Sequence, residues 1–499
     1  MRYSTLLLLL CLLVASSHAR TLHIGAGGYA SLEAAARDAL PGDTIRFSSG
    51  VHAGGSYVAN LRGTADKWIL ITGPDNGIAV IEGGGTAFQL TDPAYLHIRN
   101  LNFRGQSANG VNIDDGGSYD SPARHLLIEQ CVWEGINATG NNDLLKMSGV
   151  DSFVVRNCAF LDGSPGGSMV DMVGCHWGVF EDNLFRNGGS NSIQAKGGTS
   201  DILITHNRFL NGGARALNIG GSTGLDFFRP MNADYEGARI LVFANYFRGG
   251  QAPFAFVGAV QCDVMNNTVV YPEKWVMRIL QENTDARFQQ CGDNRFRNNL
   301  VVVDNRAISP SVNIGPNTRP ATFVFEHNLW FNTQQPSWQG PQLPSTEIAG
   351  LRALDPRLRD LATDDIALLS DSPAIGAGLP FAAMLRDLFG ALFNVPPSIG
   401  AVEGNPPVSA LEEAHNTALP ALSVYPQPAR EQVTLRLTTP SRAAQSVELC
   451  DMSGRVLRRA LLPAGTMVHA LDLRTLPAGR YVLLLRGGVN MTRSVLVLR

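Results

Sequence analysis

The sequence predicts an all-β repeat protein whose short strands stack as rungs, followed by a smaller β module. Four seven-residue segments that end at a glycine recur every 23 to 25 residues, at 143–149, 168–174, 191–197 and 215–221. Apolar and polar residues alternate within each segment, which is typical of a strand with one buried face. Copies at this spacing indicate a repeat architecture rather than a sheet built from hairpins.

Aligning the segments on their final glycine places one polar column between two apolar ones. The polar column contains Lys146, Asp171, Gln194 and Asn218. The apolar columns are 145/170/193/217 and 147/172/195/219. We therefore expect the polar column to lie on the outer face of the stack, as a ladder on the order of 15 Å long at about 4.8 Å per rung.

A second repeat, which runs for over 200 residues, supports the same stack. Asn-x-aromatic or Asn-x-Val triplets begin at 183, 207, 245, 267, 299 and 328. Buried Asn side chains can bond one another and the turn backbone, while the aromatic residues fill the core. We interpret this ladder as scaffold and not as a functional site.

The two ends of the chain carry processing and capping signals. Residues 1–19 are typical of a secretory signal peptide, with Arg2, an apolar run over 6–15 and a small-residue cleavage site at 17–19. Residues 31–40 predict a short helix that Ser31 caps and that covers the open end of the stack. The net charge of −3 gives no electrostatic case for nucleic acid. An exported protein is therefore expected.

Six cysteines remain after removal of the predicted signal peptide, and none of them forms a C-x-x-C metal pattern. Cys131 and Cys158 occupy equivalent repeat positions, each two residues before an aromatic residue. We expect these two to pack as buried thiols rather than to form a disulfide.

The repeats together with the segments SLEAAARDALPGDTIRFSSGVH and DSPAIGAG … SIGAVEG resemble the pectate-lyase-like superfamily. The resemblance covers roughly residues 21–404 and implies a right-handed parallel β-helix, which we assign to 20–404. This fold hosts lyases, hydrolases, esterases and adhesive proteins, so it does not determine activity. The sequence suggests no organic cofactor and no oligomer, and a monomer is expected.

The Pro-containing polar stretch 405–418 is typical of a linker. The short β runs over 419–499 predict a small β-sandwich. This module resembles the C-terminal sorting domain of the type IX secretion system, through VYPQP (424–428), DMSGR (451–455) and LPAGRY (476–481). Gln427 stands where that family usually has Asn. The resemblance implies a partner, the type IX machinery, and a protein that is secreted or held on the bacterial cell surface. A generic Ig-like or carbohydrate-binding appendage is the alternative.

A β-helix has a packed interior, so its site must lie on an outer strand face walled by loops. Lys196 is expected to point out of the same face as the polar column, and Arg278 takes the corresponding place two coils further on. The longest insertion, 224–236, contains Arg229 and Tyr235 and is expected to form a groove wall. Lys, Arg and aromatic side chains suit an acidic glycan.

Elimination from a uronic-acid polysaccharide needs a neutralised carboxylate and a base that takes the α-proton. The alginate-lyase and chondroitinase-B-like branch of the superfamily places Lys and then Arg in successive coils, which implies Lys196 as base and Arg215 as carboxylate clamp. The same resemblance implies Ca²⁺ bound by acidic residues. No acidic calcium cluster is visible in the sequence, where Asp171 and Asp143 are the only acids of this region. Metal ligands therefore stay undefined.

Two other functions remain open from the sequence. A glycoside hydrolase would need two carboxylates about 5–10 Å apart. Asp143 and Asp171 are the candidates in the column, and Asp226, Glu236 and Glu282 are the candidates in loops. A glycan-binding or adhesive β-helix would need no catalytic group. The discriminating feature is whether six side chains converge in one groove, namely Lys146, Asp171, Lys196, Arg215, Arg229 and Arg278. Convergence would favour a lyase, scattered side chains would favour adhesion, and close-paired carboxylates would favour hydrolysis.

Overall fold

The computed structural model describes residues 19–25, 27–381, 385–404, 422–425, 429, 431–437, 444–451, 456–476, 479–486 and 491–497. The predicted signal peptide (apart from Ala19) and the predicted linker lie outside the described residues. Within the described ranges, no helix is long and apolar enough to cross a bilayer.

Residues up to 352 wind as a parallel β-helix, in which each coil contributes strands to three sheets in turn. The first sheet has an ordered path of twelve strands, with three short strands beside it. The strands of the path are Thr21–Ile24, Thr44–Phe47, Ile69–Thr72, Ala94–Arg99, Ala123–Glu129, Val150–Arg156, His176–Glu181, Leu203–Thr205, Leu241–Phe243, Asp263–Met265, Arg295–Arg297 and Val324–Glu326. The short strands are Thr199–Ser200, Gly237–Ala238 and Ala259–Val260.

The second sheet also has twelve strands. They are Gly50–Ala53, Ala79–Glu82, Asn102–Arg104, Val132–Glu134, Ala159–Leu161, Leu184–Arg186, Arg208–Leu210, Tyr246–Arg248, Thr268–Val270, Leu300–Val303, Leu329–Asn332 and Leu351–Arg352.

The third sheet has ten strands and carries the candidate site. They are Ser56–Ala59, Phe88–Thr91, Val111–Asp114, Leu145–Ser148, Ser168–Val173, Asn191–Lys196, Arg215–Gly220, Phe254–Val257, Met277–Leu280 and Val312–Ile314. Single 3-10 turns at Leu225–Phe227 and Pro320–Thr322 and an antiparallel pair, Leu358–Asp360 with Asp365–Leu368, lie outside these sheets.

The predicted scaffold ladder is confirmed. The side-chain amides of five asparagines each donate to the next one along the ladder, at 2.9–3.2 Å. The donors are Asn183, Asn207, Asn245, Asn267 and Asn299, and the ladder ends at Asn328. Beside them, aromatic rings stack face to face from Phe103 to Phe247, with centroids 4.6–5.0 Å apart. These buried amides are satisfied by their neighbours, so each coil fixes the register of the next.

The predicted N-terminal cap is also present, as the helix Leu32–Asp38. Ser31 Oγ accepts a hydrogen bond from the Ala34 amide at 3.2 Å, as an N-cap should. Leu32 and Ala35 are buried against the first coils, which covers the end of the stack. The helix ends at Asp38, two residues before the predicted end, and Leu40 is exposed.

Cys131 and Cys158 are free and buried, as predicted, and so are Cys175, Cys262 and Cys291. The C-terminal module contains two antiparallel sheets. One comprises Leu422–Tyr425, Gln432–Leu437 and Val468–Asp472, and the other Val456–Leu462, Gln445–Asp451, Gly479–Arg486 and Met491–Val497. Val433 and Leu435 of one sheet share a hydrophobic core with Val447 and Leu449 of the other, which makes the module a β-sandwich.

Candidate active site

The outward face of the third sheet carries one continuous row of side chains. Strands pair in register at Tyr57, Gln89, Asn112, Lys146, Asp171, Gln194, Asn218, Ala255, Arg278 and Asn313. The polar column predicted from the sequence is therefore one stretch of this row, and Arg278 belongs to it. Adjacent members are separated by about 4.8 Å, the spacing of paired strands.

Lys146, Asp171 and Lys196 meet at the centre of the row. Lys146 Nζ donates to Asp171 Oδ2 at 3.1 Å and to Asp143 Oδ2 at 3.3 Å. Lys196 Nζ lies 3.2 Å from Asp171 Oδ1, a charge contact, and donates to Gln194 Oε1 at 3.4 Å. Asp171 thus lies between two ammonium groups, and Lys196 is the less tightly bonded of the two.

The two carboxylates are buried, while the two amines are partly exposed on the outer face of the row beside the 224–236 loop, a surface termed the groove. The side chains of Asp143 and Asp171 are 1% and 2% exposed, against 28% for Lys146 and 14% for Lys196. Asp143 Oδ1 also accepts the Ser168 amide at 2.8 Å. A ligand in the groove therefore meets positive charge first, because the negative charge lies beneath it.

Burial and the nearby Asp171 charge raise the pKa of Asp143 to about 6. The ammonium of Lys146 opposes that rise. Burial tends to lower the pKa of Lys146, but Asp171 and Asp143 outweigh it and the pKa is raised. Lys146 is therefore held as a cation.

A β-bulge in strand Arg215–Gly220 corrects the predicted alignment. Asn218 pairs with Gln194 as expected, but Ala195 pairs with Gly220 and not with Ile219. The extra residue bends the strand at the point where the long loop leaves the sheet. A Cβ on Gly221 would lie 3.1 Å from Lys196 Cβ and 2.9 Å from Gln194 Nε2, so the glycine leaves room for the Lys196 side chain.

Arg215 lies at the start of its strand, on the opposite margin of the sheet from Lys196. It donates to Asn218 Oδ1 at 3.3 Å and pairs with Glu282 at 2.7 Å. The family resemblance implied that Arg215 is free to clamp a substrate carboxylate. The structure instead places Asp171 between the two lysines and a Glu282 ion pair on Arg215.

The inserted loop folds back over three coils, but its Arg and Tyr do not take the expected places. Arg229 is 8% exposed, forms a two-pronged ion pair with buried Asp115, and stacks over Tyr119 with Cζ 4.5 Å from the ring centroid. The Tyr119 hydroxyl donates to the Asp226 carbonyl at 2.8 Å. Arg229 therefore holds the loop against the β-helix, and its guanidinium is not available to a ligand.

Tyr235 lies against the side chain of Arg239, which is paired with Asp201 at the edge of the first sheet. Its ring therefore lies away from the polar row. The aromatic side chains that the loop region does expose are Phe227, 60% exposed, and Tyr119, 40% exposed. These two are the better candidates for stacking on a sugar ring.

Glu236, a loop candidate for a hydrolase carboxylate, instead fixes the base of the loop. Its buried carboxylate accepts the Gly197 amide at 2.9 Å, the Thr223 amide at 2.8 Å and the Thr223 hydroxyl at 2.8 Å. Asn283 Nδ2 adds a fourth bond at 3.2 Å. Glu236 thereby ties the loop to the residue that follows Lys196, a role with no local sequence signal because its partners come from three separate segments.

Two family models match parts of the chain. A family model described as "Right handed beta helix region" matches residues 76–230, which include the centre of the row. A model described as "Secretion system C-terminal sorting domain" matches residues 423–498. The chain is a right-handed β-helix protein with a C-terminal secretion sorting domain. This domain marks proteins that the type IX system exports to the cell surface or the extracellular space.

Solved structures of other β-helix proteins resemble it. The pectate lyase Pel9A is 13% identical, with a TM-score of 0.52, and the match covers 78% of this chain and 97% of that one. An alginate lyase from Paenibacillus sp. str. FPU-7 is 17% identical, with a TM-score of 0.41 and coverage of 67% and 99%. No curated protein sequence matches the chain. At 13% identity, the likeness to Pel9A supports the fold alone.

The described residues do not fit the Ca²⁺ that the β-helix lyase resemblance implies. In the described part of the chain, no group of three or more His, Cys, Asp or Glu side chains is placed to hold a metal ion. The two buried carboxylates of the row, Asp143 and Asp171, already share the ammonium of Lys146. A calcium ion needs several oxygen ligands with negative charge to spare, and here that charge is neutralised by lysine.

Proposed function

We propose that this β-helix protein cleaves an acidic polysaccharide by β-elimination, with Lys196 as the base. The observation that carries the proposal is the arrangement of charge in the row. Two amines reach the groove, and the carboxylates that balance them are buried beneath. Such a surface attracts a carboxylate-bearing chain and offers it proton-accepting and charge-neutralising groups side by side.

Each group has a definite part in the proposed reaction. Lys146, held as a cation, pairs with the carboxylate of a uronate and so makes its α-proton more acidic. The Lys196 ammonium first gives up a proton to solvent. Its amine then takes the α-proton, the electron pair of the carbon–hydrogen bond forms the carbon–carbon double bond, and the glycosidic carbon–oxygen bond breaks. Asp171, 3.2 Å from Lys196 Nζ, stabilises the ammonium that forms. This ammonium then returns the proton to the leaving oxygen.

Hydrolysis is less well supported by the same geometry. Asp143 and Asp171 both bond one ammonium, so their nearest oxygens are at most about 6 Å apart, within the range of glycosidase carboxylate pairs. However, both side chains are at most 2% exposed. A glycosidic oxygen in the groove would meet lysine before it met either acid.

The test is ultraviolet absorbance from the unsaturated uronate that elimination creates, together with a reducing-end assay. Purified protein would be incubated with alginate, pectate and chondroitin. We expect absorbance to rise with one of these chains and to fall about 10²- to 10⁴-fold in Lys196→Ala, the usual contribution of a general base. Lys67→Ala, at an exposed site outside the row, is the matched control.

Other outcomes separate the alternatives. New reducing ends without absorbance would mean hydrolysis and would refute the elimination proposal. Binding of an acidic chain with neither signal would identify the protein as a glycan-binding β-helix.

A further inference from the structure

Beyond the central lysines, the same row reaches a second cluster of positive charge around Trp275. Lys274 Nζ lies 4.3 Å and Arg278 Cζ lies 4.5 Å from the Trp275 ring centroid. The indole therefore holds two cations, each at a distance typical of a cation–π contact. Arg215, whose charge acts on Arg278, is the third cation of this cluster.

This cluster has more positive charge than its acids balance. Glu282 pairs with Arg215 at 2.7 Å, and neither Arg278 nor Lys274 has a carboxylate partner among the described residues. Arg278 Nε donates to Asn313 Oδ1 at 3.0 Å. Its two terminal nitrogens have no acceptor in the described part of the chain.

The surroundings raise the free energy of these positive charges in the protein without a bound ligand. Burial, with the charge of Arg215 second, lowers the pKa of Arg278. Like charges held close together at a partly buried position repel one another, and an anion placed between them removes that cost. A guanidinium with both terminal nitrogens free is suited to a two-pronged bond with a carboxylate or sulfate group.

The position of the cluster identifies the kind of anion. Arg278 is in the outward row three rungs beyond Gln194, past Asn218 and the small Ala255. At about 4.8 Å per rung, the two positions are roughly 14 Å apart along one straight face. A linear chain that lies over Lys196 and follows the row reaches Arg278 only if it is several sugar units long.

We propose that Arg278, with Lys274 and Arg215 on either side, is a distal subsite that binds an acidic group on a later sugar of the same polysaccharide. This inference rests on the proposed function for the position of the chain, and it adds a length requirement. Arg278 makes no contact with the reacting sugar. Its role is therefore in affinity for long chains.

The test measures binding without turnover. Calorimetry on Lys196→Ala protein would compare uronate oligomers too short to reach Arg278 with oligomers that span both positions, with neutral oligomers as control. Adding Arg278→Met should weaken long acidic oligomers about 10- to 100-fold, the range for charge-assisted hydrogen bonds, and leave short ones unchanged. Arg278→Lys, which keeps the charge, should recover part of the loss.

Each outcome bears on the subsite separately from the chemistry. Equal weakening of short and long oligomers, or no weakening, would overturn the subsite, and unchanged thermal unfolding of Arg278→Met would exclude misfolding as the cause. Length-dependent weakening in a protein that shows no elimination would support the subsite while refuting the lyase proposal. A parallel series of sulfated oligomers would show whether carboxylate or sulfate is the preferred group.

Discussion

Replacing Lys146 with methionine tests the charge arrangement at the centre of the row. The change keeps the length of the apolar stem but removes the ammonium that separates Asp143 from Asp171. Breaking a buried ion pair costs about 3–5 kcal/mol, and the 28% exposure of Lys146 favours the lower figure, about 3 kcal/mol. We therefore expect a clear loss of stability.

This loss of stability corresponds to a decrease in the melting temperature, Tm. Unfolding entropy near 2.1 cal/mol/K per residue, taken over residues 20–404, gives about 0.8 kcal/mol/K for the β-helix. A loss of about 3 kcal/mol should then lower Tm by about 4 °C. Scanning calorimetry at pH 8 measures this shift, with Lys67→Met as the exposed control.

The pH dependence has a definite sign. The pKa of Asp143 in the folded protein is about 6, above its ordinary value of 3.8, so between these pH values the folded state binds more protons than the unfolded state. The contribution of Asp143 to stability is thus fully present below pH 4 and is lost as pH rises to 6, by roughly 3 kcal/mol. Without Lys146 the folded pKa rises further, and the loss extends above pH 6.

The Tm deficit of Lys146→Met should therefore be large at pH 8 and small at pH 5, where Asp143 is protonated in the folded state. Adding Asp143→Asn should restore much of the stability at pH 8, because only one buried carboxylate then remains and Lys196 pairs with it. An equal deficit at both pH values, or no deficit, would refute the account of Lys146 as the shared counter-ion.

Two further predictions follow from the same region. If elimination is observed, a chelator such as EDTA should change its rate less than twofold. The reason is that Lys146, and not a calcium ion, supplies the positive charge between Asp143 and Asp171. A rate that collapses with EDTA and returns with Ca²⁺ would contradict this. Arg229→Met should leave Asp115 buried and unpaired, which lowers the free energy of unfolding by about 3–5 kcal/mol. Proteolytic cleavage within 222–236 should increase. An unchanged cleavage pattern would show that the ion pair does not hold the loop.

The amino-acid pattern was sufficient to predict the scaffold. Alternation with period two, repeated every 23 to 25 residues, leaves one way to bury the apolar columns, which is to stack the strands in register. The amide ladder from Asn183 to Asn328 and the stacked aromatics followed from the same repeat. The outward row could be predicted as well, because strand register fixes which residues share a face.

Which charged side chains form ion pairs and which stay unpaired depends on the three-dimensional packing, and the sequence pattern did not predict it. Arg229 was predicted to face the groove, yet it pairs with Asp115, 114 residues earlier in the chain. Glu236 shows no local pattern because its four donors come from separate segments. A loop has no periodicity that fixes the direction of its side chains, so contacts between a loop and distant coils follow from packing and charge in three dimensions.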